Sequence, residues 1–141
     1  MLYLLCILGT VGFSLQGIYS GKKYPLLSSM LIGIGGGTVR DLILLKLPFW
    51  YYEPIYAIIP IVMYLIFKHL IYFNKALVKL LDIVSLFTFT YVGFEIGIEY
   101  NVACAILFGI ITACCGSLLN CSLRIKDLIL SFAFALSLLF I

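Results

Sequence analysis

The sequence predicts an all-α integral membrane protein of about six transmembrane helices. They form a 3+3 inverted-topology repeat, with the second and fifth helices kinked. Three observations carry this prediction. First, 65% of the 141 residues are hydrophobic and only 11% are charged, whereas a soluble domain has roughly 45–50% apolar and about 25% charged residues. A mean hydropathy of +1.23 points the same way. Such a chain asks for a bilayer as solvent, which excludes a soluble enzyme, a disordered chain and a nucleic-acid binder. Second, apolar runs separated by breaks of a few residues divide the chain into six segments. Third, the two halves repeat at a nearly constant spacing.

The segments are residues 2–20, 26–47, 54–73, 80–97, 102–123 and 128–141. The first has no basic leader and no small-residue cleavage site, so it is expected to be a retained helix. The second ends at a break that runs from Pro48 to Pro54. That break carries Phe49, Trp50, Tyr51 and Tyr52, which with Tyr56 read as an aromatic belt at the outer interface. The third ends near Lys68 and His69, the latter expected to be solvated at the inner interface. The fourth opens near Asp82, an acid suited to the positive end of a helix dipole. The fifth contains four of the five cysteines (Cys104, Cys114, Cys115 and Cys121); with Cys6 they show no metal-ligand spacing and read as small packing residues. The sixth is 14 residues long. At about 1.5 Å per residue it falls short of a hydrocarbon core of about 30 Å, and it must borrow the turn from Arg124 to Asp127.

Charge placement sets orientation. Lys22, Lys23, Lys68, Lys75, Lys79, Arg124 and Lys126 fall on one side, against Arg40 and Lys46 on the other. The positive-inside rule puts both termini outside.

Self-similarity predicts two units, residues 1–76 and 77–141. Gly9, Phe13, Ser14, Gly17 and Gly21 match Ser85, Phe89, Thr90, Gly93 and Gly97 at an offset of 76. Gly37 then matches Gly116 at 79, so the second loop is expected to be three residues longer. Three helices per unit is an odd number, so the second unit enters the membrane from the opposite side. Folds of this kind place a solute path between their halves.

The stretch Gly33-Ile34-Gly35-Gly36-Gly37-Thr38-Val39-Arg40-Asp41 is the most informative. Each glycine costs a helix about 1 kcal/mol relative to Ala, so this cluster is expected to break the second helix and leave backbone groups lining a path. The competing reading is a close helix–helix contact. Arg40 and Asp41 lie within the apolar run, where each costs about 2.5–3.5 kcal/mol at a helix centre. They are expected to face the bundle interior, with Glu53 or Glu95 as partner for Arg40. Glu95 stands out because Gly93 and Gly97 flank it. No nucleophile stands beside a base, so no catalytic site, cofactor or metal is expected.

The glycine block, followed by Pro48-Phe49 and by Glu53-Pro54-Ile55-Tyr56, resembles the bacterial branch of the TRIC family, the trimeric intracellular cation channels, whose domain is also labelled a glycine transporter. Gly9 to Gly21 looks like that family's first helix, and Asp82 with Phe89 and Gly93 like the start of its second repeat. The resemblance implies a homotrimer in a bacterial inner membrane. Each protomer would pass monovalent cations such as K+ along kinked second and fifth helices. By position, Gly35, Gly36 and Gly37 would form the second-helix kink, and Arg40 and Asp41 would lie near the pore. Gly33 and Gly116 are further expected kink positions, and Glu95 and Asp82 further expected pore-lining or gating charges. The chain departs from the family at Ala113-Cys114-Cys115-Gly116, where a glycine cluster is expected, and at Leu119-Asn120, where Arg-Asp is expected. It also stops at Ile141, without the family's seventh helix. Two alternatives therefore stay open: a transporter of a small solute such as glycine, and a non-conducting, drifted paralogue.

Overall fold

The structure is a computed structural model describing residues 2–21, 23–68 and 74–141. Its helices are α1 (Leu2–Ser20), α2 (Pro25–Ile43), α3 (Phe49–Tyr52), α4 (Ile55–Phe67), α5 (Lys75–Ile98), α6 (Val102–Leu119) and α7 (Ile125–Leu138). Six of these coincide with the six expected segments, and α3 is a single added turn. α1, α2, α5 and α6 are long and apolar enough to cross a membrane. α4 and α7 are shorter, at 13 and 14 residues. Lys22 and His69 lie outside the described residues, as does the end of the expected third segment.

Local chemistry sets the helix ends. Pro25 occupies the first turn of α2, where its missing N–H is no loss. The side chains of Asn74 and Asn101 cap α5 and α6 by accepting from the amides of Ala76 and Cys104 at 3.0 and 2.8 Å. Because of the Asn74 cap, α5 begins at Lys75, earlier than expected. Asp82 therefore lies about two turns inside the helix, buried, and does not cap its first turn. α2 and α6 stop in the same way. Leu45 and Cys121 adopt left-handed φ values of 55° and 53°. The amides of Lys46 and Ser122 reach back to the carbonyls of Asp41 and Ser117, both at 2.9 Å. This is the Schellman turn, formed here without glycine.

The four long helices form the centre. α1 packs on α2 and α5, and α6 packs on α2 and α5; α4 covers α1 and α2, while α7 covers α5 and α6. The core between them is Phe13, Ile32, Leu86, Phe89, Ala113 and Cys114. Phe13 and Phe89 stack at 5.2 Å with planes 14° apart. Two buried threonine hydroxyls are satisfied within their own helices, Thr90 on the Leu86 carbonyl at 2.8 Å and Thr112 on that of Phe108 at 2.6 Å, and Ser29 of α2 reaches the Pro60 carbonyl of α4 at 3.3 Å.

The glycines correct one expectation. α2 runs unbroken from Pro25 to Ile43 through all four of them. What they provide is contact. A Cβ on Gly36 would collide with the Thr112 carbonyl oxygen, and one on Gly116 would sit 2.7 Å from that of Leu31. Gly35 lies against Gly116, Gly33 against Ser14 and Pro60, and Gly37 beneath the ring of Phe49. The helical propensity lost at each glycine is offset by backbone-to-backbone packing, which in lipid holds helices together better than side-chain bulk does.

Gly36→Ala is therefore expected to lower thermal stability in detergent by about 1–3 kcal/mol through overpacking against α6. Ala at an unconstrained helical glycine would instead stabilise. Thermal unfolding of the two proteins side by side measures the difference.

Candidate functional site

The two ends of the bundle differ in charge. α1 starts, α2 ends and α5 ends at one of them, which carries Glu53, Glu95 and Glu99; the other carries Lys23, Lys75, Lys79, Arg124 and Lys126. We call these the acidic and basic ends.

Two adjoining cavities open at the acidic end. The deeper, about 280 Å³, is walled by Cys6 of α1, Gly37 and Arg40 of α2, Phe49 of α3, Glu53, and Tyr56 of α4. The shallower, about 380 Å³, shares Cys6, Glu53 and Tyr56 and adds Tyr3, Glu95 and Glu99. α5 closes the far wall of both with Val92 and Ile96. Tyr56 is held by edge contacts to Tyr3 and Phe49, at 6.0 and 5.1 Å between ring centroids.

Arg40 lines the deeper cavity, and its pairing with Asp41 corrects a second expectation. Arg40 binds neither Glu53 nor Glu95 but its own neighbour. Its Nε and Nη2 donate to Asp41 Oδ1 at 2.8 and 2.6 Å, and both side chains are buried. The long guanidinium stem lets adjacent residues meet although their Cβ atoms diverge on the helix. Asp41 Oδ2 accepts from the Phe49 amide at 2.8 Å, which anchors α3. The expected aromatic belt is thus partly a clasp. Trp50 Nε1 donates to the Thr38 hydroxyl at 2.9 Å, while Tyr51 and Tyr52 remain exposed.

At the basic end a second ion cluster joins α5 to α7. Arg124 donates through Nη2 to Asp82 and through Nε to Asp127 at 2.7 Å. Asp82 and Asp127 are buried, and Arg124 is partly exposed.

The structure therefore divides the expected site residues. Arg40 and Gly37 meet at the deeper cavity, and Glu95 stands at the shallower one. Gly35, Gly36 and Gly116 lie in the α2–α6 contact, and Asp82 sits at the opposite end. Sequence reading missed Arg124 and Asp127 as its partners, and Glu99, Cys6 and Tyr3 as cavity walls. Arg124 and Asp127 three residues apart, an ordinary helical ion-pair spacing, were the one available signal.

Truncating Asp41 to Ala leaves a buried, unpaired guanidinium. The expected loss is about 3–5 kcal/mol of stability, and the double variant Arg40→Met, Asp41→Ala is expected to recover much of it. Thermal unfolding in detergent of both variants decides.

Residues 3–71 match the family described as glycine transporter. No curated protein sequence matches the chain. Among solved structures, the TRIC trimeric intracellular cation channel orthologue from Rhodobacter sphaeroides superposes with a TM-score of 0.79 at 25% identity, over 93% of this chain and 78% of that one. A structure reported for conductance through TRIC cation channels superposes with a TM-score of 0.67 at 20% identity, over 96% of this chain and 89% of that one. The second likeness is one of fold. With its apolar helices, the chain is a multi-pass membrane protein.

Proposed function

We propose that this chain, with the glycine transporter signature over residues 3–71 and the fold of the TRIC channels, belongs with the TRIC family and is a cation channel. Its pore passes monovalent cations such as K+, one pore to each protomer of a homotrimer, and it is not an enzyme. The cavity pair at the acidic end carries this reading. Glu53, Glu95 and Glu99 wall the open cleft formed by the two cavities, and like-signed carboxylates in a low-dielectric cleft raise the local concentration of cations. Arg40 stands in the deeper cavity, where it sets a local barrier or gate through its partner acid Asp41. Opening of the channel bends α2 at Gly35–Gly37 and α6 at Gly116, parting the two backbones that are packed together in this structure and offering carbonyls in place of hydration water.

The inverted repeat is part of the same reading. Contacts that trade places at an offset of 76 support it. Gly9 lies against Thr88 and Gly12 against Ser85, Phe13 stacks on Phe89, and Gly36 abuts Thr112. The matching turns at Leu45 and Cys121 extend the same offset past α2 and α6. We therefore read units 1–76 and 77–141 at a single offset, with Gly116 in the place of Arg40 and no longer second loop. Charge placement supports an acidic end that faces outside, and the likeness to the Rhodobacter sphaeroides channel supports a bacterial inner membrane.

One observation favours a second reading. The deeper cavity holds a guanidinium, Arg40, and a carboxylate, Glu53, a pairing suited to a zwitterion such as glycine.

Potassium and glycine flux measured side by side in proteoliposomes separates the two readings. Under the channel reading, Glu53→Gln with Glu95→Gln lowers K+ flux about two- to tenfold at low ionic strength, and the gap closes at high salt as screening removes the carboxylate field. Flux indifferent to both changes at low salt contradicts the role of the acidic mouth. Saturable glycine uptake without K+ flux favours the transporter, and no flux of either kind favours a non-conducting protein.

A further inference from the structure

Several positions that line the cavity of the acidic end have counterparts at the basic end that are packed or ion-paired. Counting 76 residues along the chain, Cys6 corresponds to Asp82, Gly37 to Ala113 and Arg40 to Gly116; counting back, Phe89 corresponds to Phe13. At the basic end Phe13 and Ala113 belong to the packed core, and Leu123 leans against it. Asp82 is engaged by Arg124, the residue that follows Leu123. The two connecting loops differ although they leave identical helix ends. Leu47, which corresponds to Leu123, is 52% exposed and stands away from its cavity. The α6–α7 connection instead folds inward and is fastened to α5 and α7 together by Arg124.

We infer that the α6–α7 connection is the gate of the basic end, with Leu123 as its plug and Arg124 as its latch. The inference rests on the channel reading and adds the closure of that channel. Asp82 is buried, and a buried carboxylate without a counter-charge is strongly disfavoured. Arg124 therefore stays engaged until another cation takes its place. A cation arriving along the path supplies that charge. It exchanges with Arg124 on Asp82, and the released connection carries Leu123 out of the core, as Leu47 already stands at the other end.

The test labels Leu123→Cys with a membrane-impermeant maleimide in opened membranes, in a Cys121→Ser background that removes the exposed native thiol. Potassium flux is measured on the same variants. Arg124→Gln is expected to speed labelling about fivefold or more and to raise K+ flux, while Arg124→Lys keeps the charge and stays slow. Asp82→Asn, which leaves Arg124 on Asp127, is expected to speed labelling too, and it serves as the second variant should Arg124→Gln fail to fold. Labelling as slow in Arg124→Gln and Asp82→Asn as in the parent, with K+ flux intact, overturns the gate and keeps the channel. Fast labelling in both variants with no K+ flux in any protein keeps the gate and overturns the channel.

Discussion

Everything in this fold depends on how closely two helix backbones approach. Apolar side chains gain little by meeting one another in lipid, so association rests on fit and on backbone proximity. Gly36 against Thr112, Gly116 against Leu31 and Gly35 against Gly116 draw α2 and α6 together. Gly9 and Gly12 do the same for α1 and α5. Once these four are fixed, α4 and α7 have one face each on which to pack, and the acidic-end cavity lies where α1, α2, α4 and α5 diverge.

Charge is distributed by the same logic. Arg40 and Asp41 are buried as neighbours and neutralise each other, and the leftover valence of Asp41 holds the Phe49 amide. Arg124 is shared between helices that are distant in sequence. One arrangement is local and stiff. The other joins separate elements and lasts only while they stay together. The difference between a cavity wall and a latch follows from the partners alone.

The helices were legible in the sequence because span length and turn signals act locally. Under the proposed repeat, Gly9, Phe13 and Gly17 align in sequence with Ser85, Phe89 and Gly93. Matching Gly37 to Gly116 gives an offset of 79, whereas the left-handed turn residues Leu45 and Cys121 are 76 apart. The turns at Leu45 and Cys121 carry the 76-residue offset, but neither is glycine, so composition hid them. The unbroken α2 was hidden for a related reason. A run of glycines looks the same whether it breaks a helix or lets another helix touch it, and only the partner backbone decides. Glu95 and Arg40 were legible as charges in apolar surroundings. Glu99 and Cys6 gave no such signal, since a residue at a helix end becomes a cavity wall only through what packs beside it. Asp82 was seen, but its place followed from the Asn74 cap, which moves the helix start forward.

Trp50 is the only tryptophan in the chain. Its indole bonds to Thr38, and the Thr38 hydroxyl in turn binds the Ile34 carbonyl within the glycine-rich stretch of α2. The protein thus carries a native fluorophore wired to the helix segment around which its packing is organised. A shift of α2 relative to α3 loosens that bond and changes the polarity around the ring. Emission wavelength then follows the conformation of this one segment, with no label attached.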